Sequence, residues 1–394
     1  MTNSPAKPLS GLRVLDMGAY ITAPYAAMLL GELGADVIKI ERPGVEDPFR
    51  SHTGEPIAPF FFAFNRNKRA LSLDYTTPDG HDVLLELIRS ADVLLVNVRP
   101  GVEARLRIAP DALHAVNERL IYCSITGFGA DGPYSKRPAY DTVGQAASGL
   151  LSRYHQHADP RIVGPAMSDS LTGMQACIGI LAALQERTRT GRGRLVEVNM
   201  LESALAFAIE PLAHVLFKGV DQPYYYRGAS SQAYILECRD GLRIGLHMSS
   251  PDKFWNSLAQ AISRPDLASR FPTSGARLQA YDEIAVTLDE VFRQRDRADW
   301  IELLEAHDVP FAPERRLDEV MDDAQVRHLG AFTPVDPATY GAALAPNRAI
   351  RLDGDNRSTF RPPPAIGQHT DEILRELGID DEAIERLRSG RVVR

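Results

Sequence analysis

The sequence predicts an α/β protein: a doubly wound domain on a parallel sheet, joined to a smaller α+β domain. Three observations carry this. Over the first two hundred residues, short apolar runs alternate with segments of helical period, the pattern of βαβ units. One run, ADVLLVNV (91–98), is apolar almost throughout, as a strand covered on both faces must be. After about residue 220 the alternation stops and a hairpin and shorter helices take over.

Each element has its own signal. LRVLDMG (12–18) is an apolar run ending at glycine and reads as the first strand. TAPYAAMLLGELGA (22–35) reads as a helix with small residues on one side, and ADVIKIE (35–41) as the next strand. RALSLDY (69–75) alternates apolar and polar, as a half-buried strand does. TPDGHDVLLELIRSA (77–91) offers Thr77 as N-cap before a leucine-rich face. ADVLLVNV, LIYCSITG (120–127) and RLVEVNM (194–200) are further strands, and SDSLTGMQACIGILAALQER (168–187) is a long helix. In the second domain VDQPYYYRGASSQ (220–232) reads as a loop. YILECRDGLRIGLHM (234–248) reads as a hairpin turning at Asp240-Gly241. SPDKFWNSLAQAI (250–262) places Ser250 at the N-cap and Pro251 at the first helical position. Helices follow near 280–293 and 297–307, then a proline-rich stretch and a terminal helix. The expected boundaries are a large domain over 1–200, a linker over 201–224, a small domain over 225–330, and a return segment over 331–394 that completes the large domain.

Composition removes several classes of function. The chain has 394 residues, 44% hydrophobic and 24% charged, enough apolar surface to offset the ordering entropy that keeps a chain disordered. Its net charge of −8 disfavours a nucleic-acid partner, although a local basic pocket is allowed. No apolar run approaches the roughly 20 residues of a membrane span, and the polar opening lacks a signal-peptide core. Three well-separated cysteines, Cys123, Cys177 and Cys238, read as buried thiols in a reducing cytoplasm.

The motifs for common chemistries are missing. The turn DMGAYITAP has one glycine where a dinucleotide fingerprint needs three. Gly127-Phe128-Gly129 and Gly191-Arg192-Gly193 read as turns, and His155-Gln156-His157 as a solvated loop, so no metal is expected. Asp169, before the long apolar helix, has two readings. Asp169 or Ser168 could be the N-cap. Alternatively, a carboxylate kept ionised by the helix dipole could act as a nucleophile through an acyl-enzyme. Lys39, Arg42, Lys68, Arg69 and Arg105 flank strand ends and helix starts, where they could line a pocket for nucleotide phosphates.

Four ordered segments now stand out: LDMGAYITAPYAAMLLGELGADVIKIERPG, FNRNKRALSLDYTTPDG, VNVRPG and GPAMSDSLTGMQACIGILAALQERTRTGRG. Together they resemble the class III coenzyme A transferases, a family that includes formyl-CoA, carnitine and succinate-linked dicarboxylate CoA transferases. The resemblance runs to GQHTDEILRELG. It implies a Rossmann-like large domain, a small domain, and a homodimer of two interlocked rings. It implies Asp169 as the nucleophile, with Gly173 following. It places Ala19, Tyr20, Ile21, Thr22, Arg42, Leu73, Thr76, Asn97, Val98, Arg105, Tyr140 and Met200 around CoA and the substrate acid. CoA is then a co-substrate and no other cofactor is implied.

Two departures from formyl-CoA transferase weaken oxalate and formate as substrates. That enzyme has glutamine where this chain has Ile21, and a glycine run where this chain has Gly228, Ala229, Ser230, Ser231 and Gln232 as lid loop. The general look favours a succinyl-CoA-type donor and a small dicarboxylic acceptor, whose far carboxylate Arg153, Arg161 or Arg227 could hold. An α-methylacyl-CoA racemase shares the fold, but its histidine-aspartate slot here is Tyr140-Asp141. A non-catalytic acyl-CoA binder is the third reading.

Overall fold

The computed structural model describes residues 7–51, 58–155, 159–249, 252–335, 343–353 and 361–394. It divides into two compact units, 1–209 with 328–394, and 210–327.

In the larger unit six strands form one sheet: β1 (Arg13–Asp16), β2 (Asp36–Glu41), β3 (Lys68–Ser72), β4 (Val93–Val96), β5 (Ile121–Thr126) and β6 (Leu195–Asn199). All pairings are parallel and the order is β3-β2-β1-β4-β5-β6. Alternate side chains divide between two cores, as the pleat requires. Val14, Val37, Val93, Leu95, Ile121 and Cys123 pack with helices α1 (Thr22–Glu32) and the 24-residue Met167–Thr190. Leu15, Ile38, Leu71, Leu94 and Tyr122 face the other way, onto Pro78–Ser90, Pro110–Val116 and the C-terminal helices Thr370–Glu376 and Asp381–Ser389. Thr77 caps Pro78–Ser90, accepting a hydrogen bond from Gly80 N–H at 3.1 Å.

The chain leaves β1 toward β2 and leaves β4 toward β5, on opposite sides. The carboxyl ends of β1 and β4 therefore diverge, and that switch point is where such sheets bind ligands.

β3 departs from expectation. It is buried on both faces, because the C-terminal segment covers this edge strand. His369 N–H donates to Ala70 O at 3.0 Å, and Ser72 N–H to Thr370 Oγ1 at 3.2 Å. Covering an edge in this way removes a site of strand-to-strand aggregation. The long helix is also a correction. By length and composition it is apolar enough to cross a membrane, yet one side of it packs against α1 and the sheet. The stretch 201–224, expected as a linker, carries helices Met200–Phe207 and Ile209–Lys218.

The smaller unit holds an antiparallel sheet of Ala233–Glu237, Arg243–His247 and Phe311–Pro313. Its hairpin turns at Asp240-Gly241, with Gly241 at φ +76°. Trp255, Leu258, Ile284, Leu288, Phe292 and Trp300 fill its core. Helices Tyr281–Phe292 and Arg297–Ala306 fall where the sequence placed them. Tyr226–Ser231 is helical where a loop was expected. Ser250 and Pro251, the expected cap, lie outside the described residues. Cys123, Cys177 and Cys238 are buried free thiols.

Candidate active site

The turn between β1 and α1, residues 17–21, sits on buried charge. Lys39, Lys68 and Asp16 have no exposed side-chain surface, and neither has Asp47. Lys68 Nζ lies 2.8 Å from Asp16 Oδ2 and also donates to Pro24 O and Asn65 Oδ1. Lys39 Nζ pairs with Asp47 at 3.0 Å and donates to Gly18 O at 2.9 Å. Burial alone would raise the Asp16 carboxyl, but Lys39 and Lys68 outweigh it and hold it below the usual carboxylate range. For Lys68 burial wins and pushes the ammonium down to about 8. Arg69 is committed elsewhere, to Asp36 and Glu376. Three of the five cations expected to line an anion pocket are thus internal to the fold.

Above this turn opens a cavity of about 550 Å³. Its walls come from the ends of β1, β2, β4, β5 and β6, the arrangement the switch point imposes. Ala19, Tyr20, Ile21, Thr22, Arg42, Asn97, Val98, Arg105, Tyr140, Met200 and Asp169 all line it. Leu73 and Thr76 do not. Leu73 is wholly inside the core, and the Thr76 hydroxyl is spent on Asp74 at 2.5 Å. Tyr75 lines the cavity in their place, with Arg42 over its ring at 6.0 Å. Asn97 is tied to the turn, accepting from Ala19 N–H and donating to Ala19 O and Thr22 Oγ1.

Two further arginines line the cavity, Arg99 and Arg137, and the sequence reading passed over both. They stand in VNVRPG and SKRPAY, where an arginine directly before proline was the available signal. With Arg42 and Arg105 they give the opening four guanidinium groups. Such a rim attracts a phosphorylated ligand.

Asp169 is the third residue of its helix, so it is not the N-cap. Ala166 occupies that position and makes no side-chain cap. Ser168 instead donates to Met200 O at 3.3 Å, and Asp169 N–H donates to Asp141 Oδ1 at 3.3 Å. Among the described residues no group donates a hydrogen bond to the Asp169 carboxylate, which is 9% exposed on the cavity wall. Burial, and then the Asp141 charge, push its carboxyl up to about 7. The sequence leads us to expect an ionised carboxylate at this helix start; burial and the like charge of Asp141 both work against that ionisation. Gly173 lies one turn on. A Cβ there would stand 2.9 Å from Thr22 O and 3.0 Å from the Tyr25 ring, so glycine lets α1 and this helix meet closely.

The raised carboxyl has a signed consequence. Below pH 3.8 the group is neutral folded or unfolded, and its proton stabilises the fold until pH rises through about 7. Asp169→Asn is therefore expected to stabilise the protein by roughly 2–4 kcal/mol at pH 8, with the gain gone at pH 4. Urea unfolding at both pH values reads this. Equal stabilisation at both would contradict the burial account.

Other candidates have partners of their own. Arg161 pairs with Asp159 at 2.8 Å, and Arg227 with Glu210 at 2.7 Å. Arg153 donates to Ser152 Oγ and does not line the cavity. Gly228, Ala229, Ser230 and Ser231 form the end of helix Tyr226–Ser231 rather than a loop, and Gln232 closes it at φ +49°. Gln156 and His157 of the histidine pair lie outside the described residues. Among the described residues no group of three or more His, Cys, Asp or Glu is placed to hold a metal.

A Rossmann strand order whose switch point carries an arginine-rimmed cavity with an unpaired carboxylate in its wall is an α/β fold with a site suited to an anionic ligand. The chain belongs to CoA-transferase family III, whose model matches residues 9–370. It is 34% identical over 395 residues to the succinyl-CoA:glutarate CoA-transferase of Mus musculus, covering 97% of this chain and 89% of that protein. It is 32% identical over 399 residues to the succinyl-CoA–L-malate CoA-transferase beta subunit of Chloroflexus aurantiacus, covering 98% of each. A CAIB/BAIF family protein from Brucella suis has a similar crystal structure, with TM-score 0.82 and 28% identity over 95% of this chain and all of that one.

Proposed function

We propose that this CoA-transferase moves CoA from a succinyl-CoA-type donor to a small dicarboxylic acid, with Asp169 as the covalent relay. One observation carries the reading: an unpartnered, nearly buried carboxylate in the wall of an arginine-rimmed cavity. The Asp169 carboxylate attacks the thioester carbonyl, the C–S bond breaks, and CoA thiolate leaves an acyl-aspartyl anhydride. The thiolate then attacks the Asp169 carbonyl and expels the donor acid as its carboxylate, leaving an aspartyl-CoA thioester. The acceptor carboxylate displaces the thiolate to form a second anhydride. The thiolate attacks the acceptor's acyl carbon and frees Asp169.

The first step needs an ionised Asp169 and the third an ionised acceptor acid, while the second and fourth are thiolate attacks; burial and the Asp141 charge push the Asp169 carboxyl up to about 7. A carboxylate is a weak nucleophile, so desolvation and positioning supply much of the acceleration. Arg42, Arg99, Arg105 and Arg137 hold the phosphates, and the acyl end points inward to Asp169 and Met200. The dicarboxylate preference draws on the two succinyl-CoA-dependent relatives. Incubation with several acyl-CoAs and a panel of free acids, read by mass spectrometry, tests it. New CoA esters of C4–C6 dicarboxylic acids are expected. Esters of monocarboxylic acids alone would contradict the acceptor class. Epimerised 2-methylacyl-CoA without exchange would favour the racemase reading.

The proposed form is an interlocked homodimer. Helix Met167–Thr190 leaves Met174 and Ile178 exposed, and Phe207 and Ile209 are also exposed, an apolar surface that a second copy would cover. Native mass spectrometry is expected to read twice 43.4 kDa. A stable monomer would contradict this arrangement.

A further inference from the structure

The peptide groups of the β1–α1 turn are taken up by side chains. Gly18 N–H donates to Asp16 Oδ1 at 2.9 Å, and Gly18 O accepts from Lys39 Nζ. Both peptide groups of Ala19 meet the Asn97 amide, and Tyr20 N–H donates to Asp47 Oδ1 at 3.3 Å. The turn so held is unfavourable by itself. Tyr20 has φ +63°, a conformation a bulky residue keeps only where its surroundings over-determine it. Its ring meets Phe49 at 5.4 Å and Tyr140 at 5.6 Å, both edge-on.

Asp47 joins these parts. One oxygen accepts from both Tyr20 N–H and Phe49 N–H, and the other faces Lys39 at 3.0 Å. Its own N–H donates to Glu41 Oε1, which Arg50 also holds. Asp47 thus fixes the backbone at Tyr20 and Phe49, and through them the ring pair that stands in the same cavity as Asp169.

We propose that Asp47 is a positioning residue that holds the Tyr20 ring against Tyr140, so that the two phenols keep water from the reacting acyl group. This rests on the anhydride relay above. Water attacking either anhydride yields free acid and regenerates the Asp169 carboxylate, and the stranded CoA thiol is released. Misplacing the ring therefore raises hydrolysis relative to transfer, whereas general damage to the fold lowers both together.

The test uses succinyl-CoA with carbon-13 succinate. Label entering succinyl-CoA measures transfer, and free CoA thiol measures hydrolysis. Asp47→Asn, Tyr20→Ala and the double variant are compared with the wild type. The hydrolysis-to-exchange ratio is expected to rise about tenfold in each single variant, and no further in the double, because both changes break one chain of contacts. The dissociation constant for CoA is expected to stay within about threefold, since the rim arginines are untouched. An unchanged ratio in Tyr20→Ala, or single effects that multiply in the double, would overturn the proposal. If Asp47→Asn does not fold, Tyr20→Ala decides alone. A wild type that hydrolyses without exchange removes the transferase reading and this proposal with it, and is told apart because no variant is involved.

Discussion

Asp169→Ala is expected to lower transfer by roughly a thousandfold or more while CoA binds within about threefold of the wild type. The size of the loss follows from covalency: with the carboxylate gone, no anhydride forms and no neighbouring group replaces it. Asp141 is the nearest carboxylate in the hydrogen-bond pattern, but it accepts from Gln145 Nε2 at 2.5 Å and from Asp169 N–H, and it does not line the cavity. Binding is spared because the arginines at the rim belong to other strand ends. Calorimetry with CoA and the carbon-13 exchange assay separate the two effects. Substantial transfer in the alanine variant would contradict the relay. So would a parallel loss of CoA binding.

The second large effect concerns stability. Lys39→Met is expected to cost roughly 3–5 kcal/mol, because it strands the Asp47 carboxylate without its partner in a site with no exposed surface. The same substitution removes the donor to Gly18 O, leaving a buried carbonyl unpaired. At an exposed ion pair the change would be worth about 0–1 kcal/mol. Urea unfolding distinguishes the two, and a cost below about 1 kcal/mol would show that water reaches the network.

Lys39 also shows what a sequence conceals. In DVIKIE a lysine amid apolar residues reads as a cation turned toward a pocket. Asp16 comes to it from the end of the neighbouring strand β1, and Asp47 folds back from the loop that follows β2, ahead of Pro48–Arg50. The inner strands were legible because both faces of a parallel sheet demand apolar runs, and β1, β2, β4 and β5 each show one, whereas the edge strand β6 is exposed or half-buried before Asn199. β3 read as half-buried because RALSLDY (69–75) alternates apolar and polar, yet the strand is buried throughout and its Lys68 and Arg69 are covered and paired. Asp169 was legible as a position from the apolar helix behind it, and its role only through the family resemblance. Its raised pKa was not, since Asp141 is 28 residues away in the chain and burial leaves no mark in the sequence. Leu73 failed as a cavity residue for a similar reason: the motif located the strand end, and side-chain direction selected Tyr75 instead.

The relay is tested most directly by trapping the enzyme-bound intermediate. The protein is mixed with succinyl-CoA, quenched in acid within the first turnovers, digested and analysed by mass spectrometry. The peptide containing Asp169 is expected to carry CoA in thioester linkage to that aspartate, and the adduct is expected to disappear on adding an acceptor acid. CoA on another residue, or full turnover with no adduct in the wild type and none trapped by hydroxylamine, would contradict Asp169 as the relay.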